Sequence, residues 1–285
     1  MQYSGRDGNG TSLRLETRVS QSAMIKGYDT AMQGAVIEAY YGSSDFYNFG
    51  FWTPDTKAQS QASEQLVERL LAFIPDDARG GRILDVACGL GASTRHLLRH
   101  FSADRIVAIN VSGHQLERAR RNAPGCDFRV MDATRLDFPD ASFDNILCVE
   151  AAFHFDTREA FLREALRVLK PGGRLVLSDI LMSGLSPTTA KRTHIPDANA
   201  MTSPAAYEPA LVGAGFADVT VVDATDACWK PFLRSVRQFK ASHAAAGQVS
   251  AIPPSRREGP IFFNPEYLSR FIRGYVLACA RKAGD

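Results

Sequence analysis

Apolar positions along the chain change period in a regular way. Over 60–74, Leu66, Val67, Leu70, Leu71 and Ile74 recur at helical spacing and predict an amphipathic helix. Pro75-Asp76-Asp77 and Gly80-Gly81 stop it. Strands are expected at about 82–87, 105–110, 127–131, 144–150 and 173–179. Between them the pattern is helical, as from Thr157 to Leu169, which Pro171-Gly172-Gly173 closes. Pro204 to Gly213 predicts another helix, 219–222 a sixth strand and 275–280 a last one. Such alternation predicts an α/β fold: a doubly wound sheet with right-handed crossovers and helices on both faces.

Three regions lie outside this alternation. Residues 1–74 form an N-terminal segment: polar to about residue 20, then mixed helical up to Ala39-Tyr40-Tyr41-Gly42. Residues 75–285 hold the alternating domain, with inserts at 181–203 and 225–272. The second insert carries Trp229, Phe232, Phe239, Phe262, Phe263, Tyr267 and Phe271. The segment YYGSSDFYNFGFW (40–52) is equally aromatic, which fits core packing.

Composition narrows the function classes. At 285 residues with a net charge of +2, the chain has no polyelectrolyte character that would favour nucleic acid. No apolar run reaches membrane-span length, and Met1 to Thr11 lacks the apolar core of a signal peptide, so a cytoplasmic protein is expected. Cys88, Cys126, Cys148, Cys228 and Cys279 are scattered, without Cys-x-x-Cys spacing, which argues against a zinc site or a disulfide framework. No metal is expected.

The densest chemistry lies at 83–94, where an apolar run meets Asp85, then Gly89 and Gly91, then a helical pattern. A strand, a tight turn and a helix start bring a nucleotide-like cofactor against bare backbone. A dinucleotide fingerprint needs a third glycine where Thr94 stands. A carboxylate at Asp85 would repel a pyrophosphate and attract an ammonium. That charge logic favours S-adenosyl-L-methionine (SAM) over NAD.

DVACGLG (85–91) resembles the first motif of class I SAM-dependent methyltransferases, which often have Gly where Ala87 stands. VAINVSGHQL (107–116), VMDA (130–133), SFDNILCVE (142–150) and RVLKPGGRLVL (167–177) resemble the later motifs, in order. The likeness leans to the small-molecule branch that modifies sterols, cyclopropane lipids and antibiotic sugars. It implies a Rossmann-like sheet of seven strands, the last one antiparallel between strands five and six. A helical insert precedes that strand, and residues 40–52 act as part of an N-terminal helical lid.

The resemblance also assigns cofactor contacts. Asp85, Gly89 and Gly91 face the amino-acid end, Asp132 and Ala133 the adenine, with Tyr41 and Val149 nearby. Asn110 stands where the family usually has an acid on the ribose, and Gln115 lies near that sugar. Each has a plainer reading. Asp85 and Asp132 suit helix or turn caps, and Gln115 a solvated first-turn residue. His154 follows the fourth strand, and in similar sugar O-methyltransferases a His here, paired with an acid at the end of strand five (Asp179), is the base. A structural histidine is the alternative, and His194 is a second candidate. Glu150 suits stabilisation of a cation.

Taken together, a SAM-dependent enzyme methylating a fairly apolar small molecule is expected, as monomer or homodimer. O-methylation with His154 is favoured. C-methylation of an alkene and a non-catalytic SAM-binding protein remain the alternatives.

Overall fold

The computed structural model describes Ile25, Asp29 and residues 35–185, 195–245, Tyr267 and 269–284. His194 and residues 1–20 lie outside them. The central strands are β1 (Ile83–Val86), β2 (Ile106–Asn110), β3 (Asp127–Val130), β4 (Phe143–Val149) and β5 (Leu169–Met182). They are followed by β6 (Ala217–Asp223) and β7 (Ile272–Arg281). These seven strands make one sheet in the order β3-β2-β1-β4-β5-β7-β6. The first five run parallel, and β7 pairs antiparallel with both β5 and β6. The expected topology, with the last strand inserted between five and six, is the observed one.

Period-two alternation splits the core between the two faces. Ile83 packs with one apolar cluster while its neighbour Leu84 packs with the other, and Val176 and Leu177 divide the same way. The first face is covered by helices α1 (Ala35–Tyr41), α2 (Gln59–Leu71), α3 (Ala92–Leu97) and α7 (Trp229–Ala245). Against the opposite face lie α5 (Arg158–Val168) and α6 (Tyr207–Gly213), while α4 (Gly113–Asn122) follows β2. The stripe Leu66, Val67, Leu70 and Leu71 is fully buried on α2, as its spacing predicts. Thr157 caps α5, its hydroxyl accepting from Ala160 N at 3.3 Å.

β5 begins earlier than its apolar pattern predicts. Leu169 already pairs with Phe143, and the next pair is Arg174 with Asn145. Lys170-Pro171-Gly172-Gly173 therefore bulges out between two paired positions. Proline has no N–H to give to a ladder, and Gly172 takes φ +77°.

The aromatic 40–52 segment is docked into the fold. Phe49 stacks on Phe232 with centroids 4.3 Å apart, and Tyr40 meets Phe239 edge-on at 5.2 Å. Gly50 lies so close to α2 that a Cβ there would fall 2.5 Å from that of Ala62. The rings of this segment are part of the core, and Phe49 N meets Glu150 just past the carboxyl end of β4.

Candidate cofactor and methyl-transfer site

The strand order reverses between β1 and β4, so the crevice beyond their carboxyl ends is the expected ligand site. β1 ends at Val86, and the chain turns at once. Ala87, Gly89 and Gly91 all have positive φ, at 58°, 55° and 81°. The left-handed value at Ala87 explains why glycine is the easier residue there. A Cβ on Gly91 would lie 2.7 Å from Ala119 Cα, so this glycine is required by the close packing of α4.

Asp85 is buried under this loop. Its Oδ2 accepts from Ser93 Oγ at 2.8 Å and from Thr94 Oγ1 at 2.7 Å. Burial raises its pKa to about 6, partly offset by those two hydroxyls. The contact is to side-chain hydroxyls, not to a free N–H of the helix, whose cap position is Gly91, so Asp85 is no helix cap.

At the end of β2, Asn110 donates from Nδ2 to Gln115 Oε1 at 2.8 Å and accepts from Val111 N at 3.0 Å. Gln115 donates in turn to Asp29 Oδ1 at 2.6 Å, and Ser112 Oγ donates to the same oxygen at 2.9 Å. Asp29 comes from the N-terminal segment, and no sequence signal marked it. After β3, Asp132 Oδ1 accepts from Thr134 N and Oγ1, both at 2.8 Å, which is the local turn its capping alternative predicts. Ala133 is buried beside it. A cavity of about 380 Å³ opens between the N-terminal segment and α4, lined by Asp29, Ile37, Tyr41, Phe46, Leu90 and Gln115. Tyr41 donates its hydroxyl to Asn48 O at 3.1 Å.

Val149 ends β4 opposite Ser178 of β5. Glu150 follows with φ +52°. Its Oε2 accepts from Phe49 N at 2.9 Å and from the Tyr275 hydroxyl at 2.7 Å. Burial is the main cause that raises its pKa to about 8. His154 ends a short turn (Ala152–His154), with its ring 4.0 Å from that of Phe153.

The expected His154–Asp179 pair does not form. Asp179 is fully buried and gives Oδ2 to Arg158 Nε (2.7 Å) and the Tyr207 hydroxyl (2.9 Å). Its Oδ1 accepts from Phe153 N and Ile180 N, both at 3.0 Å. All its acceptor capacity is used. Arg158 also donates to Asn199 O, and Asn199 Nδ2 donates to the carbonyls of Phe153 and Phe155. Asp179 thus fixes the loop that carries His154. Chain-distant partners, Arg158 and Tyr207, outcompeted the imidazole.

Folding also makes one cluster that the scattered Cys and His pattern did not suggest. His96 Nε2 and His100 Nε2 lie 2.6 Å and 2.9 Å from Glu68 Oε1, and the three ligand atoms fall within 4.8 Å of one another. The available signal was two histidines four apart in a helical pattern. Among the described residues, no helix is long and apolar enough to cross a membrane.

Residues 84–177 match the methyltransferase domain family. They form a class I SAM-dependent methyltransferase domain. Its cofactor is S-adenosyl-L-methionine, and the residues present suit it: a glycine loop with bare backbone, a buried carboxylate and a polar group at each strand end. The chain is 33% identical over 174 residues to the 27-O-demethylrifamycin SV methyltransferase of Amycolatopsis mediterranei, covering 58% of this chain and 61% of that one. It is 37% identical over 153 residues to methyltransferase GfsG of Streptomyces halstedii, covering 50% and 53%. Of these two relatives it thus spans between half and two thirds. The crystal structure of the [4+2]-cyclase SpnF shares the fold, with TM-score 0.68 and 22% identity over 94% of this chain and 96% of that one. The methyltransferase domain therefore sits within a fold whose full length is also seen elsewhere.

Proposed function

We propose that the chain transfers a methyl group from SAM to a hydroxyl oxygen of a fairly apolar small molecule, a natural product or lipid-like compound. The observation that carries this reading is His154, held at the carboxyl end of β4 on a loop fixed by Asp179, Arg158 and Asn199. When bound, SAM supplies an electrophilic methyl on a sulfonium centre. The rest is the chain's work. The aromatic segment 40–52 acts as a lid that excludes water and presents ring faces to a cation. The loop after β4 holds the acceptor in line. A ring nitrogen of His154 takes the hydroxyl proton as the new O–C bond forms. The name of the rifamycin relative supports a natural-product acceptor.

Glu150 supports a second reading, C-methylation of an alkene or terpenoid. Its carboxyl lies against the Tyr275 hydroxyl, and the ring of Phe49 lies 5.9 Å from that of Tyr275. Ring faces, and the Glu150 carboxyl once ionised above about pH 8, can stabilise a carbocation. A non-catalytic SAM-binding protein is a third reading, kept open by Asn110.

The test is His154→Ala on an identified acceptor. O-methylation with His154 as base predicts turnover lower by about 10²–10⁴-fold with SAM binding intact, and loss of an imidazole-type rise of rate with pH. A variant within threefold of the parent returns His154 to a structural role.

A further inference from the structure

We propose that Asp29, carried by the N-terminal segment, supplies the carboxylate that grips the cofactor ribose, in place of the acid missing at the end of β2. The proposal deepens the cofactor reading above and rests on it. In Rossmann-type sheets a ribose diol is met by an acidic group near the end of the second strand, because a carboxylate accepts both hydroxyl protons in charge-assisted bonds. Here that strand ends in Asn110, whose Nδ2 is committed to Gln115 and whose Oδ1 takes Val111 N. An amide so engaged keeps one N–H and one lone pair for a diol, but no charge to strengthen the bond.

The carboxylate arrives from elsewhere. Asp29 Oδ1 takes Gln115 Nε2 at 2.6 Å and Ser112 Oγ at 2.9 Å, two donors from the first turn of α4 and its cap. These fix the carboxyl group beside Asn110 and Gln115 at the wall of the cavity that also holds Tyr41 and Leu90. Among the described residues, Oδ2 has no partner, so one oxygen is held and the other is open to accept. The relay Asn110–Gln115–Asp29 joins the usual ribose position to an acid that lies 81 residues earlier in the chain (110 − 29). Asp29 thereby links the grip on the ribose to the first turn of α4 through Gln115 and Ser112.

Titration of S-adenosylhomocysteine into the full-length parent, Asp29→Asn, Asn110→Asp and the double variant tests this, with melting curves run alongside. Asp29→Asn is expected to weaken binding about 10–100-fold, as for a lost charge-assisted hydrogen bond, with the melt unchanged. Asn110→Asp alone sets a second carboxylate beside the first and brings no gain. The double variant, with one carboxylate moved to the strand, recovers most of the affinity. An Asp29→Asn variant within twofold of the parent, or a double variant no better than Asp29→Asn, overturns the assignment. A folded parent that binds no S-adenosylhomocysteine overturns the cofactor reading itself, and this proposal with it.

Discussion

The hydroxyl of Tyr275, in the antiparallel last strand, donates to Glu150 Oε2 at the end of β4 across 2.7 Å. Phe49 N donates to the same oxygen, so one carboxyl ties the last strand, the switch-point strand and the aromatic segment together. Burial is the largest cause of its raised pKa, about 8 against an ordinary 4.5.

That shift sets a pH dependence of stability. A carboxyl whose folded pKa is raised keeps its proton in the native state when the unfolded chain has lost it. Its stabilising effect is fully present below about pH 4.5 and is lost as pH rises through about 8. Glu150→Gln keeps an acceptor for Phe49 N and Tyr275 and removes the titration. Its melting temperature should gain on the parent by several degrees between pH 5 and pH 8. Parallel melting curves across that range would refute the assignment. The same variant should keep most of its turnover if the methyl goes to oxygen, and lose it if Glu150 stabilises a carbocation.

Asp179→Asn is expected to act on stability first. Removing the charge leaves the buried Arg158 guanidinium uncompensated, which costs about 3–5 kcal/mol. The shape of the pH–rate profile should stay that of the parent, because Asp179 holds the loop and does not pair with His154. Urea melts of parent and variant check the first part. A variant of parent stability whose pH–rate profile is shifted would restore the catalytic dyad.

Asp85 predicts a pH dependence of binding. Its pKa is raised by burial to about 6, so acidification through that value neutralises the carboxyl that the proposed reading sets against the cofactor's ammonium. SAM affinity of the parent should fall as pH drops from 7 to 5, by about tenfold or less per unit. Asp85→Asn should bind weakly at both pH values, with little change between them. Calorimetry showing a parent affinity flat over this range would leave Asp85 with its bonds to Ser93 and Thr94 alone. Gly91→Val is the poorer test, since a side chain there meets Ala119 of α4 before any ligand.

Much of the fold was legible in the chain. The pattern located every strand: β1 and β2, buried on both faces, read as nearly uninterrupted apolar stretches, while β3 and β6 show alternation along an exposed edge. The stripe from Leu66 to Ile74 located α2. Register was not legible: nothing in Lys170-Pro171-Gly172-Gly173 says that Leu169 already pairs with Phe143. Strand-end positions for Asp85, Asn110, Asp132 and Glu150 followed from the same runs. Their partners did not, since Asp179 meets Arg158 and Tyr207, and Gln115 meets Asp29, through folding across 21 to 86 residues. The contribution of Asp29 had no local signal, as a single acid in a polar segment carries no period or motif.

The atom that receives the methyl separates the O-methylation and C-methylation readings. Incubation of the parent with SAM carrying a ¹³C-methyl group, against apolar acceptors bearing hydroxyl, alkene or amine groups, reads this out in the product by its carbon chemical shift and mass. O-methylation with His154 as base predicts labelled methyl on a hydroxyl oxygen, with transfer lost in His154→Ala while SAM still binds. Label on carbon, or no transfer to any acceptor class by a parent that binds SAM, would contradict it.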